Sequence, residues 1–284
     1  MAYLKTDRMV FHYRTHGDPN GVPMVLVHGS YGSSRWWLPF LELLPDDIYA
    51  IAIDLRGCGD STQTESSYTI EEQADDLWSF VQTMGLKNFD LIAHSSGGAI
   101  GIEFALNHPD TLATLVLVNS VPVEGVFTPV DGFMLLDQMR TDRDLLSQAL
   151  TNLMPSFAAS LMETENIPGE QTSPAHIFFQ QLVDDALNMA PAAFTAMATS
   201  LNQWNRFAEA KNLTLPSVII WGDQDHIIER EAASRTLIAI PGANNLEVLQ
   251  GVGHSPMIEA PLILAEKIIE FITDDFAELS SLTL

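Results

Sequence analysis

Residues 90–106 read DLIAHSSGGAIGIEFAL. A short apolar run, Leu91-Ile92-Ala93, breaks at His94-Ser95-Ser96. Gly97 and Gly98 follow, and Ile100, Ile102, Phe104, Ala105 and Leu106 continue in a helical pattern. A strand that turns abruptly into a helix, with a serine at the turn, has the form of a nucleophile elbow. The serine of such a turn is strained and its hydroxyl projects. Strand and helix pass so close that the residues two before and two after it must be small. Here those are Ala93 and Gly97. The helix starting beneath Ser95 also brings unpaired N–H groups to it, which favours negative charge there. A Ser/Gly-rich turn in any α/β domain would read the same way, so the decision rests on the rest of the chain.

Outward from this stretch, strand and helix patterns alternate. Residues 9–14 read as an edge strand, and GDPNG at 17–21 as a turn. Met24 to Val27 is a buried strand ending in His28-Gly29-Ser30, with a helical stretch through Trp36, Trp37 and Leu41 after it. Residues 48–53 form the next strand, and 70–84 a helix with Ala74, Leu77, Trp78 and Val81 on one face. Further strands are expected at 115–118, 218–221 and 246–249, with helices at 232–237 and 261–271. This rhythm predicts a mostly parallel sheet covered on both faces.

Between residues 122 and 212 the rhythm stops. The text there is helical and carries Met134, Met139, Met154, Met162, Met189 and Met197. Ser173-Pro174 is a helix start, and Phe178, Phe179, Leu182, Val183 and Ala186 form a stripe behind it. Pro191 begins another helix, with Phe194, Met197, Leu201 and Trp204 on a face. Such stripes are packing surfaces first. Methionines also suit an adaptable apolar pocket wall.

The chain has 284 residues, 46% hydrophobic and 18% charged, enough for a full core in one large domain or a domain with an insertion. Thirteen basic against 37 acidic residues give a net charge of −24, a field that repels nucleic acid and anionic membrane surfaces. No apolar run reaches the ~18 residues needed to span a bilayer, and the first residues lack the apolar core of a signal peptide. The single cysteine, Cys58, forms no internal disulfide, so a cytoplasmic location is expected. The histidines show no metal-binding spacing.

Three polar residues fall just past the ends of three expected strands: Ser95, Asp225 and His254. In an open parallel sheet that edge is where ligands bind. Asp225 and His254 are 29 residues apart, room for one helix and one strand. In this arrangement His254 takes the Ser95 proton as the serine attacks a carbonyl, and Asp225 orients the imidazole and stabilises its charged form.

The sequence resembles the α/β-hydrolase superfamily, in the branch of small esterases, lactonases, cofactor-free haloperoxidases and proline iminopeptidases. The resemblance covers about residues 9–275. It rests on HGSYGSSRWW at 28–37, DLRGCGDS at 54–61, AHSSGG at 93–98, HPDTLATLVLVNS at 108–120, WGDQD at 221–225 and GHSPMIEAP at 253–261. The chain order Ser, Asp, His matches that fold. The resemblance implies Ser95 as nucleophile, Asp225 as acid and His254 as base, with the backbone N–H groups of Ser30 and Ser96 as oxyanion hole. Asp223 stands at the same strand end, but the family's G-x-x-D spacing selects Asp225. Ala93 replaces the usual first glycine of G-x-S-x-G and is small enough for the turn to survive. A serine at 95 disfavours epoxide-hydrolase and haloalkane-dehalogenase chemistry, which uses aspartate there.

The expectation is therefore an α/β-hydrolase core, residues 1–121 and 213–284, with a helical cap at 122–212 roofing the site. Tyr31, Trp36, Val121 and Met257 are expected in the pocket wall. His28 and His94 are read as loop-shaping, Cys58 as packing, Glu259 as structural, and Asp54 and Arg56 as fixing the loop after their strand. The activity implied is hydrolysis of a small-molecule carboxylic ester or lactone with an apolar portion, through an acyl-enzyme, with no cofactor and no metal. Assembly into a homo-oligomer stays open. Alternatives on the same triad are an aminopeptidase, a C–C bond hydrolase and a perhydrolase. An aminopeptidase would need cap carboxylates such as Glu163, Glu165, Asp184 or Asp185. From a different class, the alternative is a small-ligand receptor with slow turnover.

Overall fold

The computed structural model describes residues 1–165 and 173–273. Eight strands form one sheet: β1 (Ala2–Lys5), β2 (Val10–His16), β3 (Val22–Val27), β4 (Ile48–Ile53), β5 (Phe89–His94), β6 (Leu112–Val118), β7 (Ser217–Gly222) and β8 (Ala243–Leu249). Their order across the sheet is β1-β2-β4-β3-β5-β6-β7-β8. β1 and β2 pair antiparallel, as do β2 and β4, and every pairing from β4 to β8 is parallel. The apolar runs of β5 and β7 are buried along their whole length, which is why they read as unbroken rather than alternating.

The expected edge strand at 9–14 is interior. β1, four residues of alternating exposure, lies outside it, and Phe11 of β2 is fully buried against Phe80 at 5.0 Å between ring centroids. A four-residue strand is too short for its alternation to stand out. The expected helix through Trp36 and Trp37 is a 3-10 turn, Ser34–Trp37, followed by the one-turn α1 (Leu38–Leu41), with both indoles packed into the core.

The chain reverses direction at β3. From β3 it runs to β4 on one side, then returns through α2 (Ile70–Met84) to β5 on the other side. The loops leaving β3 and β5 therefore diverge, and a crevice opens between their C-terminal ends. Right-handed crossovers place α1 on the face opposite α2 and α3 (Ser96–Asn107). α2 has sharp ends. Thr69 and Glu72 form a reciprocal capping box, and Gly85 closes the helix at φ 71°. α3 is buried from Ser96 to Ala105 and runs through the middle of the core.

Among the described residues five α-helices stand between β6 and β7: α4 (Val130–Met139), α5 (Arg143–Leu153), α6 (Pro155–Glu165), α7 (Pro174–Leu187) and α8 (Pro191–Leu201). Ser173 caps α7, its Oγ accepting from the His176 N–H, and Pro191 opens α8. The stripe Phe179, Leu182, Val183 and Ala186 packs inward. The six methionines divide three ways. Met139 and Met154 are core, Met134 and Met162 are exposed, and Met189 and Met197 line a cavity. After β7 come α9 (Arg230–Ala239), and after β8 the short α10 (Pro256–Glu259) and then α11 (Pro261–Ile272). No helix among the described residues is long and apolar enough to cross a membrane.

Candidate active site

Ser95 stands at the β5–α3 turn with φ 55° and ψ −123°. Left-handed φ in a non-glycine residue costs about 1–3 kcal/mol, held here by the buried strand before it and the buried helix after it. The close approach needed at Gly97 is real, since a Cβ there would lie 2.5 Å from the His28 carbonyl oxygen. On the strand side Ala93 is accommodated because Gly101 faces it. A Cβ on Gly101 would stand 2.9 Å from that of Ala93. The departure from glycine at 93 is thus absorbed one helical turn further on. Ser95 as a whole is 9% exposed.

The turn after β7 delivers Asp225 and the loop after β8 delivers His254. His254 Nε2 lies 2.9 Å from Ser95 Oγ, and His254 Nδ1 lies 2.8 Å from Asp225 Oδ2. Because a carboxylate only accepts, Nδ1 carries the proton and Nε2 is free to accept from the serine hydroxyl. Asp225 Oδ1 accepts from the Ile227 and Ile228 N–H groups at 2.7 and 3.0 Å. Burial pushes the Asp225 pKa up, but the hydrogen bond and charge of His254 and these two backbone donors outweigh it and hold the carboxyl below its ordinary value.

Asn119, at the end of β6 with φ 44°, was not foreseen. Its Nδ2 donates to Asp225 Oδ2 at 2.6 Å and to the Gly253 carbonyl at 3.1 Å. An asparagine at a strand end reads as an ordinary turn residue, and nothing local separates this one from the rest.

His94 and His28 do shape loops. His94 Nε2 donates to the His254 carbonyl at 2.8 Å, while its Nδ1 is buried without a partner among the described residues. Burial, then the charge of His254, pushes the His94 pKa down to about 3. His28 Nε2 accepts from the Leu55 N–H at 3.0 Å, so its Nδ1 carries the proton that goes to the Gly29 carbonyl at 2.8 Å. Asp54 accepts from the Ser34 and Asp60 N–H groups and from His12, and Arg56 holds Asp76 of α2 through two bonds of 2.7 and 2.5 Å. Ser30 Oγ donates to Ser96 Oγ at 3.0 Å, joining the β3 loop to the start of α3. Among the described residues neither the Ser30 nor the Ser96 N–H has an acceptor.

A sequence profile of the alpha/beta hydrolase fold matches residues 22–261. The chain belongs to that family. Over 282 residues this alpha/beta hydrolase is 25% identical to monoacylglycerol lipase abhd6-B of Xenopus laevis, covering 96% of this chain and 82% of that one. It is 24% identical over 290 residues to epoxide hydrolase 3 of Xenopus tropicalis, covering 96% and 77% respectively. Among solved structures it resembles the enol-lactonase from Burkholderia xenovorans LB400, with a TM-score of 0.81, 20% identity, and coverage of 96% of this chain and 100% of that chain. These proteins are named for different reactions, so they establish the fold rather than the substrate.

Beside the β3 loop the hydrolase holds a narrow cavity lined by Ser30, Tyr31, Leu55, Met189, Phe194 and Met197, with about 20 Å³ for the centre of a water. The Tyr31 ring packs 4.8 Å from that of Phe194. Arg56, Cys58 and Gln73 also touch the cavity, and burial pushes the Cys58 thiol pKa up, which keeps it protonated. Of the four expected wall residues, Tyr31 lines this cavity and Trp36, Val121 and Met257 do not. Trp36 is buried beside His94, Met257 is fully buried, and the Val121 N–H donates to the Ser95 carbonyl at 3.0 Å. No cluster of potential metal ligands occurs among the described residues.

Proposed function

We propose that this alpha/beta hydrolase cleaves a carboxylic ester or lactone with an apolar portion through an acyl-enzyme on Ser95. The observation that carries this reading is the unbroken hydrogen-bonded chain Ser95–His254–Asp225 at a strained turn. Ser95 Oγ attacks the carbonyl carbon while His254 Nε2 takes its proton. The resulting oxyanion is held by the Ser30 and Ser96 N–H groups. The tetrahedral intermediate collapses, the C–O bond to the alcohol breaks, and His254 returns the proton to the leaving oxygen. Water then repeats the sequence on the acyl-enzyme and releases the acid.

Two further observations support an ester or lactone. The cavity beside Ser30 is walled chiefly by Tyr31, Leu55, Phe194 and two methionines, which suits an apolar group. One relative is named as a monoacylglycerol lipase and one structural neighbour as an enol-lactonase. The aminopeptidase alternative loses two of its candidate amine anchors. Asp184 pairs with Arg143 at 2.6 Å, and Asp185 pairs with Arg35 at 2.8 Å. Glu163 and Glu165 lie outside the described side chains. We take residues 122–212 as a lid on the core and place the protein in the cytoplasm, where its buried, unpaired Cys58 needs no oxidising environment.

The test is fluorophosphonate labelling with a panel of p-nitrophenyl esters, lactones and aminoacyl anilides, wild type against Ser95→Ala. Sustained ester or lactone turnover that disappears in Ser95→Ala supports the proposal. Labelling without turnover on the panel favours a slow receptor instead.

A further inference from the structure

Three consecutive residues of the base loop are held through their backbones. The Gly253 carbonyl accepts from Asn119 at 3.1 Å, the His254 carbonyl accepts from His94 at 2.8 Å, and the Ser255 N–H donates to Glu259 Oε1 at 3.1 Å. The first two holds come from the ends of β5 and β6. The third differs in kind, because the same carboxylate reaches the inserted helices. Glu259 Oε2 accepts from the Ser156 N–H at 3.1 Å and from Ser156 Oγ at 2.8 Å, at the first turn of α6. A carboxylate there also complements the unpaired N–H groups and positive end of that helix. The join is tight: a Cβ on Gly253 would stand 2.4 Å from Pro155 and 2.9 Å from Glu259 Oε1.

We propose that Glu259 is a positioning residue that couples docking of α6 to alignment of His254. With α6 seated, one carboxylate is anchored on Ser156 and fixes the peptide that follows the base. With α6 displaced, that carboxylate loses its anchor on Ser156 and holds the Ser255 N–H less firmly, while the Gly253 and His254 carbonyls keep their side-chain donors and the Ser255 carbonyl keeps the Ile258 and Glu259 N–H groups. Lid closure and assembly of the base are thereby one event, so His254 is best aligned when the substrate is covered. This inference rests on the reading of Ser95 and His254 given above.

The experiment compares wild type, Glu259→Gln and Ser156→Ala. The readouts are the fluorophosphonate inactivation rate, kcat and KM for a p-nitrophenyl ester, and the downfield proton resonance of the His254–Asp225 hydrogen bond. Glu259→Gln keeps the shape but replaces one accepting oxygen by a donor facing other donors. We expect kcat and the inactivation rate to fall about tenfold, KM to stay within about twofold, and the downfield resonance to broaden. Ser156→Ala changes no group on the base loop, and it is the deciding variant if Glu259→Gln does not fold. A fall of about threefold in kcat with the same broadening supports the coupling. A raised KM or lowered Tm, with kcat and the resonance unchanged, means a purely structural tie and overturns it. If wild-type Ser95 is not labelled at all, the reading of the site fails and takes this proposal with it. If Ser95 is labelled and both variants react within about twofold of wild type, only the coupling fails.

Discussion

Asn119 Nδ2 donates to Asp225 Oδ2 at 2.6 Å, the same oxygen that accepts from His254 Nδ1 at 2.8 Å. One carboxylate oxygen is thus shared by the His254 imidazole and by a side chain from the end of β6. Its other oxygen is held by the Ile227 and Ile228 N–H groups. Four hydrogen bonds hold the Asp225 carboxylate against the imidazole. Asn119→Ala removes a donor to a buried charge, worth about 1.5–3 kcal/mol, and frees the Gly253 carbonyl as well. The expected result is a loss of about tenfold to a hundredfold in kcat/KM with Ser95 still labelled, measured by steady-state kinetics at equal folded fraction.

His94 makes stability depend on pH. Its folded-state pKa lies near 3, far below the ordinary imidazole value of 6.5, because burial disfavours the charged form. As pH falls below that ordinary value the unfolded chain takes up a proton that the folded chain refuses. Stability is lost from there down to the folded pKa, at about 1.4 kcal/mol per pH unit. His28, also buried and lowered, adds to the same slope. The Asp225 and Asp54 carboxyls, held below their ordinary values, contribute stability above the ordinary carboxylate pKa that is lost as pH falls through their folded values. A thermal melt series should therefore show Tm declining already below about pH 6.5, ahead of the carboxylates, and His94→Gln should flatten that decline.

The contact between Ala93 and Gly101 gives a packing test. Gly101→Ala puts a second methyl 2.9 Å from that of Ala93 in a fully buried seam. Overpacking of this kind costs about 1–3 kcal/mol, more than the ~1 kcal/mol that alanine gains over glycine in a helix. Ala93→Gly should relieve it. The double variant Ala93→Gly/Gly101→Ala is expected to melt above Gly101→Ala alone. A coupling energy of about 1 kcal/mol or more in a double-mutant cycle of chemical denaturation would measure the contact.

The cavity beside Ser30 predicts chain-length preference. Met197 is partly buried and forms part of its wall. Met197→Ala enlarges the space at a stability cost of about 2 kcal/mol. Its kcat/KM for p-nitrophenyl hexanoate relative to acetate is expected to rise by about tenfold, in line with ~1–3 kcal/mol of discrimination per methylene-sized change. An unchanged ratio would place the acyl group elsewhere.

Much of this arrangement was legible in the residues. Ser95 between Ala93 and Gly97 marked the turn, and the apolar spacing of Ala74, Leu77, Trp78 and Val81 marked α2. Asp225 and His254 were visible because each follows an apolar run whose strand end the sheet must bring to one edge. What was not legible depends on contacts between distant segments. Asn119 meets Asp225 across 106 positions and Ser156 meets Glu259 across 103, and neither residue carries a local signature. Which side chains face a given cavity depends on such contacts as well. Trp36, Val121 and Met257 neighbour the motifs in sequence, but the 3-10 turn and the buried α10 direct the Trp36 and Met257 side chains into the core, and Val121 serves the elbow through its backbone.

The most direct test of the central claim is mass-spectrometric mapping of the fluorophosphonate adduct, run beside ester turnover for wild type and Ser95→Ala. One adduct is expected, on Ser95, with wild-type turnover that falls by at least about 10⁴-fold in Ser95→Ala. An adduct on another residue, or turnover that survives the substitution, would contradict it.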